Sequence, residues 1–197
     1  MSDFLAFVQL GFRHIVAVGA ADHLLFLLVL AITFRLHQWS GLLWAASAFT
    51  VGHSVTLALA VTNALVLPSD VIEFLIPVTI VATALANLQA LRHDGAARPR
   101  VMLVGMFGLI HGAGFANYLR ELFLSAVTIP LLGFNVGIEL GQLLVLGVIW
   151  AVIALIDRSP RQWGATKRWT PYQLRVLAVS VSVALVSSAW AMERRPW

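Results

Sequence analysis

The chain is a succession of long apolar segments separated by short polar ones. A helix that crosses a lipid bilayer needs about 20 apolar residues, and six segments satisfy this requirement. They cover roughly residues 11–34, 40–67, 71–91, 101–124, 130–156 and 172–192. The pattern predicts an all-α, polytopic integral membrane bundle of six transmembrane helices, in which residues 1–197 form a single transmembrane domain. Asp70 is the expected N-cap of the third helix.

Composition supports this fold class and excludes others. The chain is 60% hydrophobic and 11% charged, with a mean hydropathy of +0.88, whereas a soluble domain has about 25% charged residues. Because it contains no cysteine, the chain has neither disulfides nor thiolate metal sites. No basic segment of the kind that precedes a cleaved signal peptide is found at the N-terminus, so we expect Met1 to be the mature start.

The basic residues are distributed unevenly among the loops. Of the 13 Lys and Arg, nine lie on one predicted side of the bundle: Arg35, Arg92, Arg98, Arg100, Arg158, Arg161, Lys167, Arg168 and Arg175. The other four are Arg13, Arg120, Arg194 and Arg195. Because cytoplasmic loops are enriched in Lys and Arg, we expect a bacterial inner-membrane protein with both termini extracytoplasmic. The excess of basic residues therefore indicates the orientation of the chain in the membrane and does not indicate a nucleic-acid partner.

Four polar residues interrupt the first apolar segment: Arg13, His14, Asp22 and His23. A charged residue at the centre of a membrane helix costs about 2.5–3.5 kcal/mol on insertion scales, so these positions indicate a function. On a regular helix His14 and Asp22 would lie about 12 Å apart along the axis, too far to bind one ion together. A break near Gly19 would bring them closer. The alternative is a buried charge pair of Arg13 with Asp22 or with another acid.

The second and third segments add a smaller polar set. Thr50, His53 and Ser54 are spaced so that they share one face of a helix. Hydroxyl groups alone are common between packed membrane helices, but a histidine among them favours a binding role. Glu73 lies near the outer end of the third segment, where it either joins the site or lies in interfacial water.

The fourth and fifth segments carry the remaining candidates. His111 lies within Gly108-x-x-x-Gly112, a pattern that lets another helix approach closely. Asn135, Glu139 and Gln142 form a polar stripe along one face of the fifth segment. Because a carboxylate within the membrane requires a cation or a proton as its partner, we favour an ion path here over a simple hydrogen-bonded network.

A short internal similarity links the first and fourth segments. Gly11-x-x-His14 matches Gly108-x-x-His111. Many transporters are built from two inverted halves, and three helices per half would invert the second half relative to the first. The match covers too few positions to establish a repeat, and it stands as a hypothesis.

The intramembrane polar set combines imidazoles and carboxylates without thiolates. Such ligands suit borderline divalent metals, so we expect nickel, cobalt, zinc or copper as the substrate and no organic cofactor. The candidate metal ligands are Asp22, His23, His14, His53, His111 and Glu139, and the supporting pathway residues are Thr50, Ser54, Glu73, Asn135 and Gln142. No nucleophilic triad, His-Glu-x-x-His helix or nucleotide-binding loop is present, so we do not expect an enzyme.

Four motifs follow one another along the first five segments. They are Gly11-x-x-His14-Ile15 with Asp22-His23-Leu24-Leu25-Phe26, then Ala48-Phe49-Thr50-x-x-His53-Ser54, then Phe107-Gly108-Leu109-Ile110-His111-Gly112, then Phe134-Asn135-x-Gly137-x-Glu139-Leu140-Gly141-Gln142. In this order they resemble the HupE/UreJ-type membrane proteins. The resemblance implies an association with hydrogenase or urease maturation and the transport of nickel or cobalt. It also implies that His14, Asp22 and His23 lead the metal motif.

Together these observations predict a permease for a divalent transition metal, with nickel as the first candidate. Two alternatives remain open. A haem-binding electron-transfer subunit would use His53 and His111 as axial ligands, and its purified form would show a Soret band. A membrane scaffold for metalloenzyme maturation would use the polar residues only to hold helices together. The candidate partners are the lipid bilayer, the metal ion, maturation proteins and a second copy of the chain.

Overall fold

A computed structural model of the protein describes residues 3–92, 101–122, 127–158 and 169–197. These residues form seven α-helices and no strand, which confirms the all-α class. The helices are α1 Asp3–Val16, α2 Ala21–Ala31, α3 Trp39–Val61, α4 Ser69–Arg92, α5 Val101–Leu122, α6 Thr128–Arg158 and α7 Pro171–Glu193. Two short 3-10 turns, Val18–Ala20 and Leu36–Gln38, precede α2 and α3.

The helices have the length and apolar composition of a multi-pass membrane protein. Four of them, α3, α4, α6 and α7, are long and apolar enough to cross a bilayer by themselves. The bent pair of α1 and α2 supplies a fifth span if it is counted as one, and the apolar part of α5, Val101–Phe115, is shorter than a full span. Length and composition thus support four or five spans among the described residues, and the count of six remains a prediction.

The predicted single helix over residues 11–34 is wrong, because this region contains two helices. α1 ends at Val16, α2 begins at Ala21, and their axes differ by 67°. The chain leaves the first helix at Ala17, whose backbone is extended (φ −66°, ψ 145°). The break falls beside Gly19, as the hypothesis of a shared site required.

Other boundaries differ from the predictions for local reasons. α3 ends at Val61 instead of residue 67, and Asn63 follows in the left-handed region (φ 58°), a conformation that ends helices. Asp70 lies inside the first turn of α4 and is not its N-cap. There it still favours the helix, because a negative charge near a helix N-terminus is stabilising.

Orientation in the membrane stays a prediction. Five of the basic residues on which it rests lie outside the described residues: Arg98, Arg100, Arg161, Lys167 and Arg168.

Glycines bring two helix pairs into backbone contact. On the seam between α3 and α5, a Cβ at Gly52 would overlap the Gly105 carbonyl, and one at Gly112 would overlap the His53 carbonyl. On the seam between α1 and α6, a Cβ at Gly137 would overlap the Val8 carbonyl. The close approach expected at Gly108-x-x-x-Gly112 is therefore confirmed, and α3 is the helix that approaches.

The two seams repeat each other in register. A Cβ at Gly11 would meet the Phe134 carbonyl, and one at Gly108 would meet the Phe49 carbonyl in the same way. α3 and α6 also share the sequence Phe-x-Val-Gly, at 49–52 and 134–137. Contacts advance in the same direction along both helices of each pair, so both pairs are parallel. This correspondence supports an internal repeat in which α1 matches α5 and α3 matches α6.

Near the C-terminal end of α2, Arg175 of α7 connects α2, α6 and α7. Its guanidinium is 2.7 Å from both carboxylate oxygens of Asp157 on α6, and it also reaches the Ile32 and Phe34 carbonyls. The Tyr172 hydroxyl donates to the Thr33 carbonyl beside it. These bonds satisfy carbonyls that the end of α2 leaves without helical partners, and they fix α2 against α6 and α7.

Candidate metal site

The break between α1 and α2 places His14 against His23. Their ring centroids are 4.7 Å apart, although nine residues separate them along the chain. His53 of α3 approaches both rings, at 5.9 Å from His14 and 6.2 Å from His23. One nitrogen of each of these three histidines lies within 4.8 Å of the other two. We call these three residues the histidine cluster.

Nitrogens of the histidine cluster lack hydrogen-bond partners among the described residues. They are Nε2 of His14, Nε2 of His23 and both ring nitrogens of His53, and all are buried. Buried polar atoms almost always have a partner, and an exception requires an explanation. Neutral imidazole nitrogens that converge without partners have the arrangement and chemistry of metal ligands.

His111 of α5 lies next to the histidine cluster. Its ring centroid is 5.4 Å from that of His23, and it is 1% exposed. Nε2 of His111 is 3.1 Å from the Thr79 hydroxyl, whereas Nδ1 has no partner. His111 thus offers one unpartnered nitrogen at the edge of the cluster.

Four phenylalanines contact the imidazoles, and one of them, Phe26, lies 5.5 Å from His111 between ring centroids. Phe115 contacts His14 at 4.1 Å between ring centroids, Phe134 stacks on His53 at 6.3 Å, and Phe49 meets His111 edge-on at 5.0 Å. Apolar walls around a site exclude water and strengthen the electrostatic interactions inside it.

A cavity of about 470 Å³ leads to the imidazoles. His14, Asp22, His23 and His111 line it, and the exposed Glu73 also contributes to its wall. The sequence-predicted acids Asp22 and Glu73 therefore lie in the same cavity as three of the predicted histidines. Asp22 is paired with Arg194 at 3.1 Å, so the alternative pair of Asp22 with Arg13 is wrong. Arg13 is exposed at the end of α1.

The polar stripes of α3 and α6 meet outside the histidine cluster. Thr50, Ser54, Asn135 and Glu139 line a separate groove of about 430 Å³. The Thr50 hydroxyl is 3.1 Å from the Gln142 amide oxygen, and the Ser54 hydroxyl donates to the Thr50 carbonyl at 2.6 Å. His53 shares the helix with Thr50 and Ser54 but is directed to the histidine cluster. The structure does not bring Glu139 into that cluster.

The lining of this second groove follows the internal repeat. Positions 50, 51, 54 and 55 of α3 face positions 135, 136, 139 and 140 of α6, which are the same four positions displaced by 85 residues. Thr50 therefore corresponds to Asn135, and Ser54 corresponds to Glu139. Comparing Phe-x-Val-Gly at 49–52 with 134–137 in the sequence would have indicated this pairing.

Two residues of the site have no strong sequence signal. Arg194 looks like one more basic residue at a helix end, and the sequence does not indicate that it meets Asp22 across 172 positions. Thr79 looks like an ordinary packing residue of α4. Its contact with His111 depends on how α4 and α5 pack.

Comparison with known proteins identifies the family of this chain. The family described as HupE / UreJ protein matches residues 1–194. The chain belongs to the HupE/UreJ family. No curated protein and no solved structure matches it. The HupE/UreJ motifs seen in the sequence contribute His14, Asp22, His23 and His111 to the cavity, and His53 to the histidine cluster beside it.

Proposed function

We propose that this HupE/UreJ protein is a permease that carries a divalent transition-metal ion, with nickel as the cargo, through the histidine cluster. The observation that carries the proposal is the convergence of His14, His23 and His53, whose nitrogens lie within 4.8 Å of one another. Imidazole is a ligand that nickel, cobalt, zinc and copper accept. The family resemblance ranks nickel and cobalt first.

The surroundings of the cluster favour transport over permanent storage. The imidazoles lie in and beside a cavity with two carboxylates, Asp22 and Glu73, and one guanidinium, Arg194, so that an excess of negative charge along the wall favours the approach of a cation. A conducting site must bind an ion firmly enough to admit it and weakly enough to release it. Three imidazoles with a nearby carboxylate fit that requirement. Two of the imidazoles, those of His14 and His23, lie on opposite sides of the break between α1 and α2.

The internal repeat is a second argument for transport. Secondary transporters are commonly built from inverted repeats with the substrate site where the repeats meet. Here His14 of α1 corresponds to His111 of α5, and both line the same cavity. With both termini outside the inner membrane, as the basic residues predict, this cavity would face the extracytoplasmic side.

The haem alternative is less compatible with the packing. Its two axial ligands would be His53 and His111, yet α3 and α5 are in backbone contact at this level, where Gly112 lies against the His53 carbonyl. A macrocycle cannot enter between helices that are this close. The scaffold alternative does not account for buried imidazole nitrogens without partners, since polar groups that only hold helices together would bond to each other.

The test is uptake of Ni²⁺ by liposomes that contain the purified full chain and an enclosed nickel-sensitive dye. Purification must avoid a histidine tag, which would itself bind the metal. The informative variant is Asp22→Ala/His23→Ala, and the matched control is His37→Ala. His37 is an exposed histidine in the 3-10 turn before α3, and it belongs neither to the lining of the cavity nor to the histidine cluster.

We expect uptake by the wild type and by His37→Ala, and no uptake above empty liposomes by Asp22→Ala/His23→Ala at equal protein content. Equal uptake by all three proteins would refute the proposed site. Binding of Ni²⁺ without uptake would indicate a metal sensor or donor instead of a permease. Neither binding nor uptake would favour the scaffold.

A further inference from the structure

Arg194 lies over the carboxylate in the cavity. Its Nη1 is 3.1 Å from Asp22 Oδ2, and its guanidinium also lies 5.4 Å from the centre of the Trp190 ring. Arg194 follows the end of α7, whereas Asp22 lies in the first turn of α2. The ion pair therefore connects two helices across the cavity that both residues line.

The two oxygens of Asp22 have different environments. Oδ2 accepts the bond from Arg194, whereas Oδ1 is buried without a partner among the described residues. An ionised carboxylate can accept about four hydrogen bonds, so the pair with Arg194 leaves Asp22 only partly satisfied. The unpartnered oxygen is available to a second cation.

We propose that Arg194 is an internal counter-cation for Asp22 that sets the affinity of the cavity for divalent cations. The inference rests on the proposed function. When the cavity is empty, the guanidinium neutralises the carboxylate and reduces the cost of holding it away from water. When a divalent cation reaches the site beside Asp22, it repels the guanidinium and replaces it as the partner of the carboxylate.

Comparison with the other ion pair separates this role from a purely structural one. Arg175, which pairs with Asp157, has a side chain that is only 4% exposed, and it also bonds to two backbone carbonyls. The Arg194 side chain is 33% exposed, and it has one hydrogen bond to Asp22 among the described residues. Arg194 can therefore leave Asp22, because water and the face of Trp190 remain available to it.

The role as a counter-cation predicts how substitutions change metal affinity. Removing the charge with Arg194→Gln eliminates the competing cation, so Ni²⁺ should bind at least about tenfold more tightly, as expected for charges a few ångström apart in a partly solvated cavity. Arg194→Lys keeps the charge and should stay close to the wild type. Arg195→Gln is the matched control, since Arg195 is exposed and lines a different groove with Trp197.

The experiment is titration calorimetry of Ni²⁺ into the full chain in lipid nanodiscs, for the wild type, these three variants, Asp22→Asn and Asp22→Asn/Arg194→Gln. We expect the gain from Arg194→Gln to shrink to less than about twofold when Asp22 is already neutral, because the two residues then no longer interact. A structural role of Arg194 would instead produce the same change in both backgrounds.

The outcomes separate this inference from the proposed function. Wild-type binding with unchanged or weaker binding by Arg194→Gln overturns the counter-cation role and leaves the metal site intact. A gain of equal size in the Asp22→Asn background also overturns it. If neither the wild type nor Arg194→Gln binds Ni²⁺, the proposed function fails and this inference fails with it.

Discussion

The Thr79 hydroxyl contacts one ring nitrogen of His111, and the other ring nitrogen has no partner among the described residues. The hydroxyl oxygen is 2.7 Å from the Ile76 carbonyl and 3.1 Å from Nε2 of His111. We infer that the hydroxyl donates its single proton to the closer carbonyl, so that its oxygen accepts from the imidazole. In this arrangement Nε2 of His111 carries the proton, and the unpartnered Nδ1 carries the lone pair. Bonds of this kind fix the orientation and tautomer of metal-binding histidines.

Thr79→Val removes this acceptor while keeping the shape of the side chain. We expect Ni²⁺ affinity to fall by about tenfold or more, as is typical when the outer partner of a ligand is lost, and the ¹⁵N spectrum of His111 to show a mixture of tautomers. Thr79→Ser should restore both properties. Thr83→Val is the control, because the Thr83 hydroxyl bonds to the Thr79 carbonyl and to no histidine. Unchanged affinity in Thr79→Val would contradict the assignment.

Much of the architecture could be predicted from the sequence, because lipid requires long apolar helices. The positions of α4, α6 and α7 followed from hydropathy to within two residues. The pairing of His14 with His23 could not be predicted from hydropathy. It depends on the angle between α1 and α2, which no local sequence pattern specifies. The partner of Asp22 could not be predicted either, because Arg194 lies 172 positions away along the chain and their contact depends on how α7 packs beside α2.

The α3 stripe shows a different limit of sequence reasoning. Thr50, His53 and Ser54 share a broad face, and the sequence predicts one site for all three. In the structure His53 faces the histidines of α1 and α2, whereas Thr50 and Ser54 face α6 in the groove with Glu139. Helical periodicity places residues on a face, but the neighbouring helices decide how many sites the face serves.

Glu139→Gln tests whether the second groove is separate from the histidine cluster. Because independent sites change one another by only about 0.3–0.5 kcal/mol, the affinity for Ni²⁺ should stay within about twofold of the wild type. If the groove belongs to the ion path, liposome uptake should nevertheless slow. Leu140→Ala, at the adjacent position of the same groove, controls for a change of packing. A loss of Ni²⁺ affinity comparable to that of His53→Ala would place Glu139 among the ligands instead.

Gly112→Ala should disrupt the seam between α3 and α5. The new methyl group would overlap the His53 carbonyl, and overpacking of this kind costs about 1–3 kcal/mol. Gly147→Ala in α6 is the matched control, because its methyl group would enter open space and alanine favours a helix by about 0.8–1 kcal/mol over glycine. The readout is the apparent Tm in nanodiscs, followed by the fluorescence of the seven Trp residues. Equal Tm values for both variants would argue against close contact at this seam.

Asp157→Asn should weaken the attachment of α2 to α6 and α7, since it leaves the buried Arg175 guanidinium without its carboxylate. Breaking a buried pair costs about 3–5 kcal/mol, and we expect about 1–3 kcal/mol here because the Asp157 side chain is 29% exposed. Asp70→Asn, an exposed position in the first turn of α4, is the control, and the loss of its charge near the helix N-terminus should cost only about 0.3–1 kcal/mol. A larger fall in Tm for Asp157→Asn than for Asp70→Asn supports the structural role of this pair, and equal Tm values would contradict it.

We propose that the histidine cluster holds one metal ion with ligands from three separate helices. Nickel K-edge X-ray absorption of the tag-free chain with one equivalent of Ni²⁺ tests it most directly, because multiple scattering from imidazole rings reports how many histidines bind. We predict three or more imidazoles in the wild type and in His37→Ala, and one fewer in each of His14→Ala, His23→Ala and His53→Ala. If the variant that combines His14→Ala, His23→Ala and His53→Ala gives the same spectrum as the wild type, the histidine cluster does not hold the metal.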